Sequence, residues 1–256
     1  MLFVLVYRCL MTLDQTNCHS RDAFIVFSAP DHTYCVRSHP DLEFISVSSV
    51  CKPWFPGFPA HRIATNMVKS KRFETDRKYE QYWQYVYSNF DGTRRYAPLI
   101  VDDIVAHWQA NAKLQSQLGT TMHEAIEDFY NGRTSVVENV ACSGQQTEYN
   151  YFMNFHQEIV VQRQWVPFRT EWKIWDATSQ IAGTVDMIFI DPDGLYHMVD
   201  WKRCKKITTW GSPCKTVCSS FRNCNFDKYC IQLNIYAHIL QKYYDITIAS
   251  MALGVF

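Results

Sequence analysis

The stretch IAGTVDMIFIDPDGLYHMVDWKR, Ile181 to Arg203, decides how the chain is read. Two apolar runs flank Asp191-Pro192-Asp193-Gly194, and Pro followed by Gly at such a corner predicts a β-hairpin. Side chains alternate faces along a strand, so Asp200 and Lys202 point one way and Trp201 the other. In simple register Asp186 lies across from that pair. One face of a sheet then carries two carboxylates and an ammonium group, which repel or trap one another unless a divalent cation or a phosphate shares the site.

Outward from the hairpin, FRTEWKIW after Pro167 predicts a preceding strand, Phe226 to Tyr244 a helix, and ITIASMALGVF a strand that runs to the last residue. A chain stopping inside an apolar strand is expected to be truncated. Upstream, Asp102 to Tyr130 has helical periodicity, interrupted at Gly119 with Thr120 or Thr121 as a fresh cap. Tyr149 to Val161 predicts a further helix. AFIVF, TYCV and FISVSSV between Arg21 and Val50 predict a small β-meander, followed by the packed aromatic loop WFPGFP. Ile63, Met67, Tyr79, Tyr82, Trp83, Tyr85 and Val86 then recur at helical spacing, an aromatic stripe read as core, and Asp91-Gly92 marks a turn. The expected division is an N-terminal β/helical extension over 1–100 and an α/β core over 101–256.

With 25 basic and 25 acidic residues the chain has no global charge to attract a polyanion, so any nucleic-acid contact must be local. Its 47% hydrophobic content excludes a disordered chain. No apolar run reaches the roughly 18 to 20 residues of a membrane span, and the opening MLFVLVYRCLMTL lacks the basic start and cleavage site of a secretory signal. Ten cysteines in a chain this rich in apolar residues predict reduced or metal-bound thiols and an intracellular protein, in nucleus or cytoplasm.

His123 and Glu127 lie four apart on one helical face, where a neutral imidazole can ligate a metal and a carboxylate can support it. Taken alone, His123 also reads as a core or capping residue and Glu127 as a structural one. Glu171, in the strand before the hairpin, is either a further acid of the cluster or a surface partner of Lys173. Gln232 and Tyr236 again stand four apart on a helix. Arg203, Lys205 and Lys206 leave the end of the second hairpin strand, where a nucleic-acid backbone or plain solvent would suit them, and Trp210 and Phe221 follow in a loop as candidate base-stacking aromatics. Lys69, Lys71 and Arg72 are a second basic group open to both readings.

Taken in order, GTTMHEAIE (Gly119 to Glu127), GTVD (Gly183 to Asp186), DWK (Asp200 to Lys202) and QLNIY (Gln232 to Tyr236) resemble the PD-(D/E)xK nuclease superfamily, in its RecB-like and lambda-exonuclease-like branch. The resemblance covers about Trp108 to Phe256, and HTYCV and FISVSSV with the WFPGFP loop are similar to the leader that precedes this nuclease core in proteins of large DNA viruses and some eukaryotic microbes. It implies a restriction-endonuclease-like αβββαβ core, a central mixed sheet flanked by helices. It further implies Mg²⁺ or Mn²⁺ held by His123, Asp186, Asp200 and the carbonyl of Trp201, with Lys202 orienting or deprotonating a water. Gln232 and Tyr236 would line the site, and Glu127 and Glu171 would support the metal ligands. The implied activity is metal-dependent hydrolysis of DNA, with exonuclease action on linear ends or single strands favoured over endonuclease action, in recombination, repair or viral genome processing.

Two rivals belong to other classes. One is a nucleic-acid-binding module without catalysis, against which the intact acids and lysine argue. The other is a domain stabilised by zinc or an iron-sulfur cluster on the loop from Cys214 to Cys230, although the spacings among Cys214, Cys218, Cys224 and Cys230 form no CxxC pair.

Overall fold

The computed structural model describes residues 11–86, 93–133, 144–214 and 220–256. The expected start at MLFVLVYRCL, the Asp91-Gly92 turn and Cys218 lie outside them. In chain order the elements are α1 (Leu13–Thr16), β1 (Ile25–Ser28), β2 (Thr33–Val36), β3 (Ile45–Ser46), α2 (Val47–Val50), α3 (Ala60–Lys69), a 3-10 segment (Arg77–Tyr85), α4 (Ala97–Tyr130), α5 (Gln146–Phe155) continuing as a π-helix (His156–Val161), β4 (Val166–Asp176), β5 (Ile181–Ile190), β6 (Tyr196–Lys202), α6 (Asn225–Tyr243) and β7 (Ile248–Val255). None of the described helices is long and apolar enough to cross a membrane.

The chain divides into two compact units, residues 1–56 with 118–256, and residues 57–117. The boundary expected near residue 100 falls inside α4, and the N-terminal strands belong with the sheet. In the smaller unit Ala64 and Val68 of α3 pack with Phe73, Ile100, Val101, Ile104 and Val105, and Tyr79, Tyr82 and Tyr85 close this cluster. The aromatic stripe is therefore core, although its backbone is 3-10 over Arg77–Tyr85.

The larger unit is α/β, with a mixed sheet flanked by helices. β4, β5 and β6 form an antiparallel meander, β7 joins β6 in parallel, and β3 joins β5 in parallel. Gly194 takes φ 80° at the β5–β6 corner, as the turn chemistry requires. Asp191 Oδ1 accepts the N–H groups of Asp193 and Leu195 and locks that corner. Leu233, Tyr236, Ile239 and Leu240 recur along one side of α6 and bury against Trp172, Ile174, Val185, Ile188 and Met198. On the opposite face Met122 and Ile126 of α4, Phe152 and Val160 pack on Met187, Phe189, Val199 and Trp201.

Two local expectations are corrected. The three N-terminal strands make only the start of a meander: β1 and β2 pair as a hairpin and Phe44 makes one antiparallel bridge to Tyr34, but β3 then leaves to pair with β5, and VSSV turns helical under a Ser46 cap. Gly119 does not interrupt the long helix, which runs unbroken over Ala97–Tyr130 because burial of Met122 and Ile126 outweighs the roughly 1 kcal/mol cost of one glycine.

Candidate metal and catalytic site

The site begins where the ladders fail. Along β5, Val185 faces α6, and so does Ile188, whereas Met187 and Phe189 face α4; regular alternation is broken around Asp186. In the β4–β5 ladder Thr170 pairs with Met187 and Trp172 with Val185, but Glu171 and Asp186 between them form no ladder pair, and Glu171 takes φ 44°. That left-handed conformation is costly for a non-glycine residue and holds only where its surroundings enforce it. The β5–β6 ladder ends at Met187–Val199. One step beyond, Asp186 Oδ2 accepts the backbone N–H of Trp201 at 2.8 Å. The strands thus fork at Asp186 and Asp200.

Helix α4 brings His123 to this fork. Its Nδ1 lies 3.3 Å from Glu171 Oε1 and 3.8 Å from Asp186 Oδ2, and its Nε2 lies 3.2 Å from the Trp201 carbonyl oxygen. His123, Glu171 and Asp186 each offer one potential ligand atom, all within 4.8 Å of one another. Asp200 stands beside this group. Its Oδ2 makes an ion contact of 2.6 Å with Lys202 Nζ, yet neither buried carboxylate oxygen has a hydrogen-bond partner of acceptable geometry.

Burial pushes the Asp200 carboxyl up to about 7, and the charge of Asp186 adds to the rise. Asp186 is likewise raised, first by burial, with the backbone N–H of Trp201 opposing it. Burial alone would lower His123, but the bond to Glu171 and the charge of Asp186 outweigh it and bring the imidazole up to about 9. Lys202 is raised because Asp200 and Asp186 overcome its burial. Two desolvated acids, of which Asp200 has no hydrogen-bond partner on either oxygen, together with an imidazole and a backbone carbonyl form a donor set that a hard divalent cation such as Mg²⁺ or Mn²⁺ fits.

From the other face, Gln232 Nε2 donates to Tyr236 Oη at 3.1 Å, and Tyr236 is buried close enough for the charge of Asp186 to act on it. Gly183 explains itself here: a Cβ at that position would come within 2.6 Å of Tyr236 Cε1. The glycine of GTVD is the floor on which the QLNIY tyrosine lies.

Of the remaining expected residues, Glu171 joins His123 rather than Lys173. Glu127 is raised by burial and then by Glu171; both acids line a polar cavity of about 490 Å³ with Arg133, Arg169 and Lys173. Arg203 pairs with Glu148 Oε1 at 2.9 Å, with both side chains largely covered, so it faces α5 and not solvent. Lys205 and Lys206 are exposed. Phe221 packs with Trp54 in a cluster around buried Cys51, Phe55 and Cys214, which accounts for two of the thiols as filling.

Two residues of the site went unread. Tyr229 places its ring 5.2 Å from Lys202 Nζ, and its spacing of three before Gln232 on the same helix was the available signal. Tyr34, whose hydroxyl lies 2.9 Å from Thr184 Oγ1, is near enough for Glu171 and Asp186 to act on it after burial has raised its phenol. No local pattern could have announced a contact made across about 150 residues. No protein-family model matches the chain, and no curated protein matches it.

Proposed function

We propose that the chain is a metal-dependent nuclease of the PD-(D/E)xK type that hydrolyses phosphodiester bonds of DNA inside the cell. The observation that carries this reading is the fork at Asp186 and Asp200, where two buried carboxylates meet His123 from one face and Lys202, Gln232 and Tyr236 from the other. Each part of that set has a task in phosphodiester hydrolysis.

His123, Asp186, Asp200 and the carbonyl of Trp201 would hold Mg²⁺ or Mn²⁺, with Glu171 positioning the imidazole through Nδ1. When bound, such a cation supplies a nucleophilic water at neutral pH and offsets charge on the phosphate. Lys202 presents an ammonium group to the same pocket and can donate to a water or a phosphate oxygen. Gln232 and Tyr236 fix one another, and through the packing of Tyr236 on Gly183 they position the strand that carries Asp186. Burial of the acids keeps water from screening the charges that a phosphate would meet.

Digestion of linear DNA ends is the favoured mode. Incubation of linear and covalently closed DNA with Mg²⁺, Mn²⁺ or EDTA tests both points. Loss of linear DNA in metal with sparing of closed circles supports exonuclease action, nicking of the circles assigns endonuclease action, and intact DNA under every metal rejects the reading.

A further inference from the structure

Trp210 is 82% exposed, more than any other large apolar side chain among the described residues. Its exposure does not come from a slack loop. Asn225 Oδ1 accepts the N–H and the hydroxyl of Thr208 at 2.7 and 2.9 Å, and Asn225 Nδ2 donates to the carbonyl of Lys206. On the far side of the indole Asn223 donates to the carbonyl of Ser212, and Gly211 packs so closely on Asn223 that a Cβ would sit 2.3 Å from its carbonyl oxygen. Polar bonds on both sides therefore hold the segment, and the indole contributes nothing to them.

Arg222 completes the arrangement. Its guanidinium donates to the Thr209 carbonyl at 2.8 Å and stands 5.3 Å from the Trp210 ring centroid. Lys205 and Lys206 are exposed just before the indole. From Arg203 to Cys230 the sequence has six cationic residues, Arg203, Lys205, Lys206, Lys215, Arg222 and Lys228, against the single acid Asp227, in a chain whose formal net charge is zero. One turn into α6, Tyr229 packs against Lys202, so the segment pinned by Asn225 adjoins the acid cluster.

An aromatic face held outward beside a guanidinium, with two exposed lysines just before it in the chain, suits a ligand with both stacking surfaces and negative charge. A duplex hides the faces of its bases, whereas an unpaired strand offers them. We infer that Trp210, backed by Arg222 and flanked by Lys205 and Lys206, is a stacking platform for an unpaired nucleic-acid strand at the mouth of the site. This rests on the nuclease reading and names the form of substrate that the site receives.

Fluorescence anisotropy in EDTA, which prevents cleavage, tests the platform with a labelled oligothymidylate of about 20 nucleotides and a duplex of matching length. Trp210→Ala should weaken single-strand binding at least about fivefold, the lower range for one stacked base, and change duplex binding less than about twofold. Trp210→Phe should retain most of the single-strand affinity. Unchanged single-strand binding in Trp210→Ala, or an equal loss on both ligands, overturns the inference. Cleavage is read separately in Mg²⁺. A parent protein that cleaves nothing while Trp210 still governs single-strand binding overturns the nuclease reading and leaves the platform standing. One that cleaves while Trp210 has no effect on binding overturns the platform alone.

Discussion

Asp186 holds Trp201: the carboxylate of one strand takes the main-chain N–H of the next at 2.8 Å, at the point where the ladder between them has stopped. The acid is thus part of the fold as well as of the proposed chemistry, and the two roles separate by substitution. Asp186→Asn keeps an amide oxygen to accept the bond and should retain stability to within about 1 kcal/mol. Asp186→Ala leaves a buried N–H unpaired and should lose about 1 to 3 kcal/mol. Urea unfolding in EDTA distinguishes them, and both variants should lack cleavage.

The metal-free protein should lose stability as pH rises. The folded-state pKa of Asp200 is raised to about 7 from an ordinary carboxylate value near 3.8, so the folded state binds more protons between those limits, and stability falls as pH rises through that window. His123 acts in the same direction: its contribution is fully present below about 6.5 and is lost as pH rises through about 9. Asp176 opposes them at the acid end. Its carboxyl is depressed, burial being outweighed by bonds from Ser179 and Tyr243, so its contribution is lost as pH falls below about 3.8. Thermal unfolding in EDTA should show a decline from about pH 4 to 9 that Asp200→Asn flattens in its lower half. Added Mg²⁺ should stabilise most at the alkaline end.

Gly183→Ala should disturb the site without touching a charge. Its methyl group would meet Tyr236 Cε1 at 2.6 Å and Val47 Cγ2 at 3.0 Å, and overpacking of this kind costs about 1 to 3 kcal/mol. Combined with Tyr236→Ala the same substitution should cost much less, because the clashing ring is gone. A double-mutant cycle by denaturant unfolding measures the coupling, and additive effects would deny the contact.

Arg203 and its neighbouring lysines should behave differently although all three stand in one basic run. Replacing Lys205 and Lys206 together with Ala should weaken DNA binding across sequences and reduce the salt slope by about one per lost phosphate contact. Arg203→Ala should instead lower thermal stability, since it strands Glu148. An unchanged salt slope in the lysine variant would remove those residues from the interface.

The hairpin and the helix–strand order around it were legible because their signals are local: turn residues at Asp191 to Gly194, strand alternation, and helical spacing in Leu233 to Leu240. The grouping of His123, Asp186, Asp200 and Lys202 was legible from type and order, whereas Glu171 stood open between the cluster and Lys173 until its contact with His123 decided it. What stayed hidden depends on distant partners. The path of β3 is set by pairing with β5 more than 130 residues away, and Glu148 claims Arg203 across 55 residues. The fork itself was invisible, since simple alternation places Asp186 in a regular strand and only the ladders on both sides reveal that its pairing is broken.

The proposed role of the fork, acids that hold a divalent cation for DNA hydrolysis, is open to a direct experiment. It is tested most directly by single-turnover digestion of end-labelled linear DNA in Mg²⁺ and in Mn²⁺, comparing the parent with Asp200→Asn and Lys202→Ala, each first shown to be folded. The expected result is cleavage by the parent that EDTA abolishes, and a loss of at least about a hundredfold in either variant. Cleavage by Asp200→Asn at the parental rate, or DNA left intact by the folded parent in both metals, would contradict it.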